Sequence, residues 1–275
     1  MSTPVFVGLD IGSSRTKVAV VDAAKRLLGH AVRKSGTDFS ATAETCLDES
    51  LEMAGVRRDE IVNAISTGYG RTNVAFVTAR SKTEIGCLSR WGRHHFSEAI
   101  TIIDIGGQDN KVIKLDQDGR RASFKMNRKC AAGTGAFLEE MSLRLDIPLE
   151  AMDALARQSL EMVKLGSYCT VFSATEVLEN IRHGKKVPDI VKGLFYSVVK
   201  RVLEMDSHAG RVVMTGGVVA HNPYIVEMAG EMAGRPVVLP EFPQLAGAIG
   251  AALYALDETD PIGIRNDIPA GETNG

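Results

Sequence analysis

Apolar residues along this chain come in short runs that alternate or repeat at helical spacing, and most runs end in a polar, glycine-bearing block. The first run, Phe6-Val7-Gly8-Leu9-Asp10-Ile11, is followed by Gly12-Ser13-Ser14-Arg15 and a second run from Thr16 to Val21. Two strand-like stretches around a short polar turn predict a β-hairpin. The pattern returns in Ile102-Ile103-Asp104-Ile105, then Gly106-Gly107-Gln108-Asp109, then Asn110 to Leu115. Strand, Asp-Ile-Gly, polar turn, lysine and strand are thus written twice, which predicts an internal repeat of the kind left by duplicated domains. Residues 61–68 predict a further strand closed by a glycine turn, and residues 212–215 one that ends in Gly216-Gly217. Helical spacing covers residues 41–54, 134–145, 171–182, 187–205 and 246–256. Trp91, His94 and His95 are assigned to a surface or inter-domain loop, and the tail from Glu258 is expected to be loose. Mixed strands and helices in two similar halves predict an α/β fold. Its expected domains are 1–100 and 101–257, with 258–275 as tail and the closing helix 246–256 packing back on the first domain.

Composition narrows the function. Thirty-two basic against thirty-four acidic side chains leave a net charge of −2, so no global field recruits nucleic acid or an anionic membrane. No apolar run approaches the roughly eighteen residues of a membrane span. With an alternating apolar segment from Val5 and no basic n-region or apolar h-region ahead of it, no secretory leader is expected and a cytoplasmic location is. Cys46, Cys87, Cys130 and Cys169 stand far apart, with neither a C-x-x-C knuckle nor a disulfide framework. The six histidines show no H-x₃-H pairing of the zinc type.

The two hairpin turns carry the first chemistry. Backbone N–H groups of a tight turn can wrap phosphate oxygens, and small residues let the phosphates come close. Gly12-Ser13-Ser14 and Gly106-Gly107-Gln108 both fit. Asp10 and Asp104, at the strand ends before these turns, could hold the water shell of a Mg²⁺ ion. For Lys17, a phosphate contact and a solvated strand position are both open. The cysteines carry the second chemistry: Cys130 and Cys169 each shortly precede a helical pattern. A helix start offers unsatisfied N–H donors and partial positive charge, which favour a thiolate and can bond the sulfides of an iron-sulfur cluster.

Asp10-Ile11-Gly12, Asp104-Ile105-Gly106-Gly107 and Thr215-Gly216-Gly217 together resemble the phosphate-1, phosphate-2 and adenosine motifs of the actin, sugar-kinase and heat-shock-chaperone superfamily. The resemblance implies two ribonuclease-H-like domains closing on ATP. No Walker A sequence occurs.

Lys129-Cys130-Ala131-Ala132-Gly133-Thr134-Gly135, with Phe137-Leu138-Glu139, is similar to the signature of the activator ATPases of 2-hydroxyacyl-CoA dehydratases. The ATPase subunits of ATP-dependent benzoyl-CoA reductases share that signature. Cys169-Thr170-Val171-Phe172, Ser66-Thr67-Gly68-Tyr69-Gly70-Arg71 and Met214-Thr215-Gly216-Gly217-Val218 fit the same family, and the likeness spans nearly all of residues 5–256. Departures include Ala136 after Gly135, and Ser173-Ala174-Thr175, both near the candidate cluster.

This resemblance implies an ATP-hydrolysing electron donor that drives low-potential one-electron reduction of a large iron-sulfur CoA-ester reductase or dehydratase. Reduced ferredoxin or flavodoxin would be its electron source. Cys130 and Cys169 would ligate a four-iron four-sulfur (4Fe-4S) cluster shared with an identical or paralogous subunit, while Cys46 and Cys87 are read as structural. Asp10, Asp104 and the water-positioning Gln108 would serve catalysis. The nucleotide would meet Gly12, Ser13, Ser14, Lys17, Gly106, Gly107, Gly133, Thr134, Gly135, Gly216 and Gly217. The competing readings are a small-molecule kinase without a cluster and a filament-forming ATPase of the same superfamily.

Overall fold

The computed structural model describes residues 4–127, 130–165 and 169–259. Its strands form two sheets with the same wiring. One has the order β3-β2-β1-β4 and the other β7-β6-β5-β8-β9. The first is built from β1 (Val5–Ile11), β2 (Arg15–Asp22), β3 (Leu27–Lys34) and β4 (Ile61–Thr67). The second is built from β5 (Ile100–Ile105), β6 (Asn110–Leu115), β7 (Arg121–Asn127), β8 (Arg211–Thr215) and β9 (Val237–Val238). In each, the central strand pairs antiparallel with the next strand and parallel with a later one: β1 with β2 and β4, β5 with β6 and β8. This is the ribonuclease-H-like arrangement that the superfamily resemblance implies.

Both central strands are buried on both faces, which is why they read as near-continuous apolar runs rather than alternating ones. Val5, Val7, Leu9 and Ile11 of β1 pack with Ala43, Leu47 and Leu51 of helix α1 (Phe39–Ala54). Phe6, on the other face, packs with Ala251, Ala252 and Ala255 of the last helix, α9 (Ala246–Asp257). Between them, Gly8 lets α9 lie directly on the strand, since a Cβ there would run into the Ala248 carbonyl. Ile100 and Ile102 of β5 face helix α2 (Glu84–His95) through Leu88 and Trp91. Ile103 and Ile105 point into the largest core cluster, with Phe137, Leu138 and Met141 of α3 (Gly135–Leu145) and Leu194, Val198 and Val202 of α6 (Val187–Glu204). Helices α2 and α9 therefore form a layer between the two sheets.

The remaining helices are α4 (Met152–Arg157), α5 (Thr170–Arg182), α7 (Gly217–His221) and α8 (Tyr224–Ala233). Trp91, His94 and His95 belong to α2 rather than to a loop, which corrects the expectation above. The Thr83 hydroxyl caps that helix by accepting from the Gly86 amide at 3.1 Å. Trp91 is 1% exposed because it faces β5 and β6 across the core. Glu258 is tied by ion pairs to Arg80 and Lys82, and the tail expected from there on lies outside the described residues from Asp260.

Candidate active site

Each hairpin turn closes with the same backbone bond. The Gly12 amide donates to the Arg15 carbonyl at 3.1 Å, and the Gly106 amide to the Asp109 carbonyl at 2.9 Å. In both ladders the aspartate at the strand end lies directly opposite a lysine, Asp10 opposite Lys17 and Asp104 opposite Lys111. The two turns approach closely: a Cβ on Gly107 would stand 2.5 Å from Ser14 Oγ. Gly216, at φ +100° beside the Ile105 carbonyl, ends β8 and starts α7 with a third small turn.

Between these turns lies a cleft of about 630 Å³. Of the predicted residues, Asp10, Gly12, Ser13, Ser14, Lys17, Asp104, Gly106, Gly107, Gln108, Gly135, Gly216 and Gly217 line it. Gly133 and Thr134 do not line it: Thr134 is fully buried, and the Gly133 carbonyl accepts from the Asn110 side chain at 2.9 Å. Sequence reasoning missed Glu84 and Lys111, and with them lining residues such as Tyr69, Arg71, Asp109, Leu138, Glu139, Leu149, His221, Asn222 and Gln244. The repeat itself could have pointed to Lys111, which takes the place in the second hairpin that Lys17 takes in the first.

The electrostatics are crowded. Lys17 donates to Asp10 at 3.0 Å. Burial pushes the Asp10 carboxyl above its ordinary value; Lys17 opposes the shift and the nearby charge of Glu84 adds to it. Lys111 meets Asp109 at 2.6 Å, Glu84 at 2.9 Å and Asp104 at 3.4 Å. Burial works to strip its proton, yet the three carboxylates hold it well above the usual lysine value. Burial likewise raises Asp109, against the pull of Lys111. The other oxygen of Asp104 accepts from the Thr215 hydroxyl at 2.8 Å. Across the whole lining five carboxylates (Asp10, Glu84, Asp104, Asp109 and Glu139) face four cations (Arg15, Lys17, Arg71 and Lys111), and the carboxylates at the two turns are the oxygen donors suited to a divalent cation arriving with a nucleotide.

Behind the cleft, helix α3 is fastened to the second turn. The Gly135 amide donates to the Gly106 carbonyl at 2.9 Å and the Ala136 amide to the Gly107 carbonyl at 2.8 Å. Cys130 lies in the loop entering α3 and is partly exposed; Cys169 caps the start of α5 and is exposed. Cys46 and Cys87 are buried, and burial pushes both thiols up to about 12. Among the described residues, no group of three or more metal-ligating side chains occurs within one chain.

The profile of the BadF/BadG/BcrA/BcrD ATPase family matches residues 7–255. This chain belongs to that ATPase family. Among its relatives is the 2-hydroxyisocaproyl-CoA dehydratase activator of Clostridioides difficile, 38% identical over 92% of this chain and 95% of the relative. The structure of that activator with bound ADPNP superposes with a TM-score of 0.86 over 93% of this chain and 95% of the other. Component A of the (R)-2-hydroxyglutaryl-CoA dehydratase of Acidaminococcus fermentans is 32% identical, with a TM-score of 0.88 over 94% of this chain and 99% of that one. A benzoyl-CoA reductase subunit from Thauera aromatica is more distant, at 27% identity over 91% of this chain and 92% of the relative. The family makes the chain an ATPase, and activators of CoA-ester dehydratases and a benzoyl-CoA reductase subunit are among its relatives.

Proposed function

We propose that this ATPase is the activator of a 2-hydroxyacyl-CoA dehydratase, coupling ATP hydrolysis to low-potential electron delivery. Its ATP site is the cleft between the turns. The observation that carries the reading is the pair of backbone bonds from Gly135 and Ala136 to the Gly106 and Gly107 carbonyls. They join the helix behind Cys130 to a turn of the ATP site, so a change at the phosphates reaches the cysteine loop through two bonds. Higher identity to the dehydratase activator than to the reductase protein favours the dehydratase as partner.

The donor set fits an iron-sulfur cluster shared between two chains. Of four cysteines, Cys130 and Cys169 are the two that reach solvent, and two thiolates are half of a Cys₄ set. An identical or paralogous subunit would supply the other half across a two-fold axis. When bound, a 4Fe-4S cluster supplies one-electron transfer whose potential responds to hydrogen bonding and exposure. The rest falls to this chain's own residues. Asp10 and Asp104 would hold Mg²⁺, which would supply charge for the phosphates, and Gln108, exposed at the cleft edge, orients the attacking water. The glycines and serines of the first two turns hold the phosphates. Gly133 and Thr134, set back from the cleft, fix the cysteine loop rather than touch nucleotide. Residues 1–100 with α9 and residues 101–257 without it then act as two domains closing on ATP, in a cytoplasmic protein supplied by ferredoxin or flavodoxin. No helix among the described residues is long and apolar enough to cross a membrane.

The test is anaerobic purification followed by iron, sulfide and EPR analysis with native mass spectrometry. About two irons per chain in a dimer is the expected result. Cys130→Ser and Cys169→Ser lose the iron, while Cys46→Ser and Cys87→Ser keep it. A colourless, redox-silent ATPase, or iron retained in both of the first two variants, overturns the proposal.

A further inference from the structure

The two halves of the repeat carry the same Asp–Lys pair but place the lysines in different surroundings. Lys17 is 16% exposed, with Asp10 as its ion-pair partner. Its ammonium lies over the first turn, 3.4 Å from where a Cβ on Gly12 would be. Lys111 is 3% exposed and held by three carboxylates from three places: Asp104 on β5, Asp109 in the second turn and Glu84 in the first turn of α2. A lysine with one partner at the edge of a phosphate-sized turn can exchange that partner for an anion. A buried lysine paired with three carboxylates cannot leave without setting them against one another, with Asp104, 12% exposed, the least able to turn to water.

We propose that the duplicated lysines have divided their work: Lys17 binds the nucleotide phosphates, and Lys111 is a positioning residue that fixes Glu84 and Asp104 for hydrolysis. Lys111 bridges the second sheet to the inter-sheet helix α2, so the carboxylate of Glu84 and that of Asp104 are set in one frame. Both line the cleft beside Asp10. Asp104 is held from two sides, by Lys111 on one oxygen and by Thr215 on the other, which leaves its direction to the protein rather than to the ligand. Glu84 has Lys111 on one oxygen, and its charge is felt at Asp10. The cluster is therefore a joint through which the position of α2 governs the geometry around the terminal phosphate. This rests on the reading of Asp10 and Asp104 as the Mg²⁺ and water-organising pair.

The experiment uses the full chain and separates binding from turnover. Affinity for a non-hydrolysable ATP analogue is measured by calorimetry with and without Mg²⁺, alongside kcat for ATP. Lys17→Met is expected to weaken the analogue by about tenfold, the loss of one charge-assisted contact. Lys111→Met and Glu84→Gln are each expected to lower kcat by about 100-fold, the scale of misplaced catalytic groups, with analogue affinity within about threefold of wild type. Lys111→Arg restores part of kcat. The double variant Glu84→Gln/Lys111→Met is no worse than either single one, because the two side chains act as a unit. If Lys111→Met fails to fold, Glu84→Gln and Lys111→Arg still decide the matter. Equal loss of analogue affinity in Lys17→Met and Lys111→Arg, or turnover in Glu84→Gln at the wild-type rate, overturns the division. Unimpaired hydrolysis in Asp10→Ala and Asp104→Ala would instead remove the underlying reading of the aspartates and leave the analogue affinities of the two lysine variants to stand.

Discussion

Gly250 of α9 packs directly on the backbone carbonyl of Cys87 in α2, with no room for a Cβ between them. Two helices that separate two sheets thus cross at a point where backbone meets backbone. Gly250→Ala must push them apart, because the obstacle is a carbonyl and not the end of a flexible side chain. A loss of about 2 kcal/mol in unfolding free energy, on the scale of overpacked cores, is the expected outcome. Denaturant titration checks it, and a variant as stable as wild type would show that the crossing is loose.

The raised carboxyl of Asp10 gives stability a pH dependence with a definite sign. Its folded-state value lies above the reference of 3.8, mainly through burial. The native state therefore binds the proton more tightly than the unfolded chain does, and Asp10's favourable contribution is present below 3.8 and lost as pH rises through the raised value. Above that value the carboxylate form of Asp10 is a cost to the nucleotide-free fold. Asp10→Asn should then melt higher than wild type at pH 8, by about 2–4 °C for each kcal/mol regained, with hydrolysis impaired. The gap should close as pH is lowered towards 4, and a gap that widens there would contradict the assignment.

Cysteine reactivity should divide the four thiols evenly. In the nucleotide-free, iron-free chain an alkylating reagent at pH 8 is expected to modify Cys130 and Cys169, which reach solvent. Cys46 and Cys87 are buried with thiols near 12 and should react only in denaturant. Peptide mass mapping reads this out. Rapid native labelling of Cys46 or Cys87 would mean that the α1 and α2 faces open far more readily than their packing indicates.

Gly135→Pro tests the link between the ATP site and the cysteine loop. Position 135 is the first residue of α3, where proline's fixed φ suits a helix, and Thr134 before it is already extended. The substitution removes the amide hydrogen that donates to Gly106 and puts a ring carbon in its place, where even a Cβ would stand 3.2 Å from the Gly107 Cα, so the helix start must move off the turn. Alkylation of Cys130 in wild type should change rate when a non-hydrolysable ATP analogue binds, and this response should be lost in Gly135→Pro. An intact response in the variant would show that the signal travels elsewhere.

The sequence made the repeat legible because a hairpin is local: Asp10 and Lys17, or Asp104 and Lys111, are brought opposite each other by one short turn. Long helices with a clear apolar stripe, such as α6, were equally readable. Strands β3 and β7 were not, since β3 starts after a turn and runs out to exposed residues and β7 is exposed along most of its length. Helix α2 was hidden by its composition, with Trp91 and two histidines reading as loop, because what makes it apolar is the core that forms around Trp91. Glu84 had no local signal beyond following the capping Thr83. It joins the site only because α2 crosses between the sheets, a relation of distant segments. Gly133 and Thr134 came from the family signature rather than from any local rule, and the structure sets them outside the cleft lining, where the chain turns at Gly133, φ +85°.

The fastening of α3 to the second turn also fixes which way that turn looks. A trans peptide unit points its carbonyl and its N–H in opposite directions. With the Gly106 and Gly107 carbonyls turned back onto α3, the N–H groups of Gly107 and Gln108 face away from the helix, on the side where both residues border the cleft. Any roll or tilt of α3 must rotate those two peptide planes with it. The donors offered to a phosphate are in this sense mounted on the helix that follows Cys130, and an angular displacement at either end is an angular displacement at the other.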